Sequence, residues 1–338
     1  MNSRKLVLDT LEMRNHGRAP RDLWTLPWAT SRYPNEIAEI QRSFPSDLIG
    51  TPGYNREQGV GHGDMYMPGR AVDDWGCEFI SIHEGIIGEV KNPQIQSDDW
   101  DDADKIHFPR EWLSIDVDKV NDYCRAHADS FRQGGCCPRP FEQLQFLRGT
   151  VNLYMDLMDP PANMLRFFDR MHAFYCELLE LWASTEIDAL NFMDDWGSQQ
   201  NLLIPPRVWR EIFKPMYKDY IDIAHRAGKK IFMHSDGNTL EILPDLIELG
   251  LDAINTQIFC IGVENLAPFK GKITFWGEID RQHLLPYGSA EDIERAVVRV
   301  KNTLWDNGGC IAQCEFGPGG RPENVRKVYE TWDRLTGA

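Results

Sequence analysis

The sequence predicts an α/β protein built as a (β/α)8 barrel, with an N-terminal extension and extra helices. Three observations carry that expectation. A short apolar strand, a polar loop and an amphipathic helix recur in succession through the second half of the chain. The connections are mostly short, so the strands should run parallel and be covered by crossover helices. Side chains able to bind metal fall at strand carboxyl ends, where a barrel of this kind places its chemistry.

The predicted strands are Ala189-Leu190-Asn191-Phe192-Met193, Lys230-Ile231-Phe232-Met233-His234, Ala253-Ile254-Asn255-Thr256-Gln257, Ile273-Thr274-Phe275-Trp276 and Cys310-Ile311-Ala312-Gln313-Cys314. Helical periodicity runs from Pro206 to Ala227, Thr239 to Leu249, Val263 to Phe269, Ala290 to Asp306 and Pro322 to Leu335. The first half is less regular. Helices are expected over Ile37 to Phe44, Val117 to Gln133 and Asn163 to Thr185, and a hairpin over Trp75 to Val90 turning near His83-Glu84-Gly85. With no low-complexity linker or internal repeat, residues 1–338 read as a single domain.

Composition narrows the function classes. A chain of 338 residues, 42% apolar and 26% charged, can bury a large core. Its net charge of -16 and the lack of a basic stripe argue against nucleic acid as a partner. No run approaches the roughly 18 to 20 apolar residues that span a bilayer. The start, Met1-Asn2-Ser3-Arg4-Lys5-Leu6, lacks a signal-peptide core, so a cytoplasmic location is expected and no membrane partner. In such a reducing compartment the eight cysteines read as thiols or metal ligands, and the Cys136-Cys137 pair as structural.

His234-Ser235-Asp236-Gly237 and Cys314 each close a predicted strand. Alternation would put His234 and Asp236 on one face. Together with the Cys314 thiolate they would make a three-ligand site with an open position, as catalytic zinc requires. Glu278 follows the intervening strand and would complete the shell or position a substrate. Asp194 and Asp195 close another strand and would orient the substrate or relay a proton, with one of the two facing the pocket.

Several segments resemble the uroporphyrinogen decarboxylase superfamily. They are Phe192-Met193-Asp194-Asp195-Trp196-Gly197 with Leu202-Leu203-Ile204-Pro205-Pro206 and Trp209-Arg210-Glu211-Ile212-Phe213-Lys214-Pro215, His234-Ser235-Asp236-Gly237-Asn238, Phe275-Trp276-Gly277-Glu278-Ile279-Asp280, and Gly319-Gly320-Arg321-Pro322-Glu323-Asn324-Val325. Weaker echoes lie at Phe44-Pro45-Ser46-Asp47 and Asp73-Asp74-Trp75-Gly76-Cys77. The resemblance implies a TIM-type barrel and one of two activities: tetrapyrrole decarboxylation, or zinc-dependent methyl transfer with corrinoid proteins. The methyltransferases carry a His-x-Cys pair and a later cysteine about ten residues before a Glu-Asn pair. His234 and Cys314 match that pattern, whereas Asp236 replaces the first cysteine. The decarboxylases carry an N-terminal Arg-Gln-Ala-Gly-Arg segment. Here the corresponding region reads Leu23-Trp24-Thr25-Leu26-Pro27-Trp28, without arginine, a poor receptor for many carboxylates.

The resemblance therefore favours a zinc methyltransferase moving a methyl group between a thiol or methoxylated small molecule and a corrinoid. The Asp-x-His-x-x-Gly signature of many corrinoid modules is absent, so a partner protein would supply the corrinoid. His234, Asp236 and Cys314 are the expected ligands, and Trp24, Trp28 and Trp196 the expected apolar walls. Assembly as a homodimer stays open, as does the decarboxylase alternative.

Overall fold

The computed structural model describes residues 2–54, 59–134 and 137–337. Its strands are β1 (Arg21–Thr25), β2 (Leu48–Gly50), β3 (Gly69–Val72), β4 (Glu78–Ser81), β5 (Glu89–Val90), β6 (Phe131–Gln133), β7 (Ala189–Met193), β8 (Lys230–Ser235), β9 (Ala253–Thr256), β10 (Thr274–Trp276) and β11 (Cys310–Phe316). Eight of them pair in parallel in the order β1-β11-β10-β9-β8-β7-β6-β2. The residue before β2 bridges the remaining gap: Asp47 donates its N–H to Arg21 O at 2.9 Å and accepts from Phe131 N at 3.0 Å. The result is a nearly closed (β/α)8 barrel, as expected.

Side-chain alternation sorts each barrel strand into two faces. Inward residues Leu48, Phe131, Ala189, Phe232, Ala253, Trp276 and Ile311 form an inner core, plugged from below by Val7 and Leu11 of the N-terminal helix Ser3–Leu11. Burying a side chain of Phe or Ile size stabilises by about 1.5–3 kcal/mol. The alternate residues, including Leu190, Phe192, Ile231, Met233, Ile254, Phe275, Cys310, Ala312 and Cys314, join an outer core beneath the helices.

The helices begin where local chemistry favours it. Proline sits in the first turn of Pro206–Arg226 and Pro322–Thr336, where its missing N–H costs nothing. Ser289 and Asp292 form a reciprocal capping box at the start of Ala290–Leu304. Two expected helices are shorter than their periodicity suggests. The segment expected over Val117 to Gln133 is helical only to Ala126, and Phe131–Gln133 instead becomes β6. There the barrel gives Phe131 an inward berth and Arg132 an ion pair with Asp188 at 2.7 Å, so tertiary contacts override periodicity. The second helix starts at Leu243 rather than Thr239, whose hydroxyl pairs with Thr256 at 3.0 Å.

Between β2 and β6 an antiparallel sheet, β3-β4-β5, is inserted. The expected hairpin is its second half, with Phe79 opposite Val90 and Ile80 opposite Glu89. Its turn reaches the rim: a Cβ on Gly85 would lie 2.7 Å from Trp28 Cα. Among the described residues no helix is long and apolar enough to cross a membrane. Cys136, half of the cysteine pair read as structural, lies outside the described residues.

Candidate metal centre

The loops following β7 and β8 cross at the barrel mouth, and two glycines let them touch. A Cβ on Gly197 would fall 2.1 Å from Asn238 N, and one on Gly237 2.0 Å from Gly197 O. Gly237 also has φ +76°, a conformation that disfavours other residues. Gly197 N donates to Asp236 O at 3.0 Å, and Asp236 N donates to Asp195 Oδ1 at 2.9 Å. These contacts draw the two loop carboxylates towards one point.

His234 supplies the third group. It shares the inward face of β8 with Phe232. One ligand atom each from Asp195, His234 and Asp236 lies within 4.8 Å of the others. His234 Nε2 is 3.6 Å from Asp195 Oδ1 and 3.7 Å from Asp236 Oδ1. On the other side of the ring, Nδ1 lies 2.6 Å from Asn255 Oδ1, and Asn255 Nδ2 is anchored to Trp276 O. Since the amide oxygen can only accept, this bond places a proton on Nδ1, and Nε2 is the ring nitrogen turned to the carboxylates. The three side chains are 35%, 15% and 31% exposed in chain order, so the cluster is reachable from solvent.

The surrounding charges are arranged around Arg281. Its guanidinium holds Asp236 Oδ2 and Glu315 Oε1 and lies 3.7 Å from Glu278 Oε1. Burial pushes the Glu278 carboxyl well above its usual range, against the pull of Arg281. Burial likewise raises Asp195 to about 6, with His234 opposing and Asp236 adding to the rise.

Of the residues expected at the site, His234, Asp236, Asp195, Glu278 and Trp24 converge. The Trp24 ring lies 5.5 Å from the His234 ring and meets Trp276 edge-on at 5.0 Å. Trp28 stands at the rim under the hairpin turn.

Cys314 does not join them. In the β1–β11 register Trp24 faces Glu315, which puts Glu315 on the inward side and Cys314 on the opposite one. There Cys314 is fully buried in the outer core with Cys310, and burial raises its thiol pKa. The converging donors are therefore one imidazole and two carboxylates.

Asp194 and Trp196 also turn away from the mouth. Asp194 is buried and accepts from Tyr217 Oη at 2.6 Å and from Glu142 N at 2.8 Å. Trp196 stacks on Phe141 at 4.0 Å between centroids and donates to Tyr217 Oη at 2.8 Å. Both tie β7 to the outer helices, and the alternation that sends Asp195 inwards sends them out.

Asn255, Arg281 and Glu315 were not singled out from the sequence. Asn255 carried a usable signal, a polar residue in a buried strand at the parity of the inward face. Arg281 and Glu315 carried none.

Residues 71–335 match the family model "Uroporphyrinogen decarboxylase (URO-D)". No curated protein matches the sequence. Among solved structures, the chain is similar to a methyltransferase from Methanosarcina mazei at 13% identity, with a TM-score of 0.72 and 99% of each chain covered. That likeness is one of fold. It is less similar to D-psicose 3-epimerase from Clostridium cellulolyticum, at 12% identity and a TM-score of 0.39, covering 66% of this chain and 86% of the other. With the family match spanning most of the barrel and both crossing loops, the chain belongs to the uroporphyrinogen decarboxylase family.

Proposed function

We propose that this protein is a metal-dependent methyltransferase, in which Asp195, His234 and Asp236 hold zinc. It would move a methyl group between a small molecule and a corrinoid presented by a partner protein. The convergence of those three side chains, with His234 pre-oriented by Asn255, is the observation that carries the reading. A nitrogen and two carboxylate oxygens fit zinc or a neighbouring first-row metal, and the imidazole disfavours magnesium and calcium. Three protein ligands leave a position for substrate. The shared fold with a methyltransferase, and the lack of an arginine pair in Leu23–Trp28, favour methyl transfer over tetrapyrrole decarboxylation.

Zinc, when bound, supplies Lewis acidity to the heteroatom that carries or receives the methyl group. The chain's own residues do the rest. Asn255 fixes the His234 ring, and Arg281 occupies Asp236 Oδ2 so that Oδ1 is the oxygen turned to His234. In demethylation the carbon–heteroatom bond breaks with its electron pair staying on the heteroatom. A reduced corrinoid on the partner protein would be the methyl acceptor, and its chemistry would supply the electron pair for the new bond to carbon. Burial raises the Glu278 carboxyl, and in this reading it is the group that gives the departing heteroatom its proton.

The test is metal analysis and chelator competition on the parent, His234→Ala, Asp195→Asn and Asp236→Asn, followed by transfer assays with methylated and reduced corrinoid. About one zinc per chain in the parent and a large loss in each variant is expected. Undiminished metal in all three variants would place the ion elsewhere.

A further inference from the structure

Beside the metal cluster, between the segments that follow β7, β9 and β10, lies a chamber of about 220 Å³. Among its nine lining residues only Phe259 has a purely hydrocarbon side chain. Ligand pockets are mostly walled by apolar groups, so a lining this polar narrows what can fill it.

The floor is formed by Gln257 and Glu278, 6% and 4% exposed. Gln257 Oε1 accepts from Gly237 N at 3.2 Å, which fixes the amide beside Asp236, and among the described residues nothing accepts from its Nε2. The Glu278 carboxyl makes no hydrogen bond among the described residues, its nearest partner being Arg281 Nε at 3.7 Å. Buried groups of this kind are normally paired, so both have capacity left for a ligand. The rim is amide as well. Gln199 Nε2 donates to Gln282 Oε1 at 3.1 Å, leaving Gln199 Oε1 and Gln282 Nε2 open, and the Cys260 thiol donates to Gln199 O at 3.1 Å.

The charged walls are engaged with one another. Arg281 places its two terminal nitrogens on Asp236 and Glu315. Asp280 Oδ1 accepts from Gln282 N at 3.0 Å and His283 N at 2.9 Å, and its Oδ2 lies 3.3 Å from His283 Nδ1. Burial disfavours a negative charge on Glu278. What stays open is a set of amides and one carboxyl, and amides carry donor and acceptor side by side. A hydroxyl is likewise both donor and acceptor, so a run of hydroxyls matches these walls group for group.

We propose that this chamber binds the small-molecule substrate and that its ligand class is an uncharged, hydroxyl-rich aliphatic compound. Gln257 and Glu278 hold the hydroxyls at the floor, and Gln199 and Gln282 those at the rim. The chamber's role as a substrate site rests on the methyltransferase reading above. Arg281, shared by the chamber wall and Asp236, sets the Glu278 end of the ligand beside the metal cluster. The volume equals that of about seven waters at liquid density, the room of a polyol of about four to six carbons and too little for a tetrapyrrole. An apolar chain of the same length would leave Gln257 and Glu278 unpaired, which is the physical basis for rejecting it.

The experiment is saturation-transfer NMR titration of xylitol, 1-pentanol, xylonate and 1-amino-1-deoxyxylitol into metal-free and zinc-loaded protein. Xylitol should bind both forms, about tenfold or more tightly than 1-pentanol and than either charged analogue. Gln257→Glu keeps an acceptor for Gly237 N but removes the donor to the chamber, and should weaken xylitol by about threefold to tenfold. Cys260→Trp should fill the rim and abolish xylitol binding while about one zinc per chain remains. If Cys260→Trp fails to fold by circular dichroism, Gln282→Trp at the exposed rim makes the same test. Equal affinity for 1-pentanol, tighter binding of a charged analogue, or xylitol binding that survives the rim substitution overturns the proposal. Zinc binding without xylitol binding sinks this inference alone, and xylitol binding without a metal site sinks the methyltransferase reading alone.

Discussion

His234 Nδ1 and Asn255 Oδ1 lie 2.6 Å apart across neighbouring parallel strands, and that contact decides which nitrogen of His234 faces the carboxylates. Asn255→Leu should therefore weaken zinc binding by about 10–100-fold, the usual cost of removing the partner that orients a ligating histidine. Chelator competition would measure it, with circular dichroism confirming the fold. Unchanged affinity would mean that Asn255 serves packing alone.

His234→Ala and Cys314→Ser should behave oppositely. The first should lose most of the bound zinc. The second should keep about one ion per chain, while losing roughly 1–3 kcal/mol of stability from a hydroxyl placed in the outer core. Elemental analysis of both variants distinguishes them, and joint loss of metal would return Cys314 to the ligand set.

Trp196→Ala tests the outward assignment of its loop. Removing a fully buried indole stacked on Phe141 should cost about 3–5 kcal/mol. Zinc stoichiometry at low denaturant should stay that of the parent. A variant of full stability that fails only in substrate binding would contradict the structural role.

Asp22 supplies a pH signature. It accepts from the indoles of Trp24 and Trp276, both at 2.9 Å, yet burial outweighs these bonds and raises its carboxyl from 3.8 to about 6. The folded state thus holds this proton more tightly than the unfolded chain. Its contribution is complete below about 4 and is lost as pH rises through about 6, amounting to about 3 kcal/mol at most. Urea titrations at several pH values should show Asp22→Asn lacking that part of the parent's decline. Parallel pH profiles for the two proteins would refute it.

Much of the barrel was legible because β7 to β11 are short apolar segments separated by regular helices, each pattern reporting burial directly. Strands β1, β2 and β6 were not legible. They are three to five residues long and include Arg21, Asp22, Arg132 and Gln133, and only pairing with distant neighbours makes them strands. The site was half legible for a similar reason. His234 and Asp236 announce themselves at a strand end beside Gly237, but nothing near Arg281 in sequence indicates that it will meet Asp236, Glu278 and Glu315.

The linear order of residues was sufficient to establish the α/β class, the barrel and a histidine–carboxylate pair at its mouth, because hydrophobic periodicity and turn chemistry are local. Which side of the wall each group takes depended on strand register, a long-range property in which adjacent residues point in opposite directions. That register moved Cys314 into the outer core, brought Asp195 to His234 and turned Asp194 and Trp196 towards the helices.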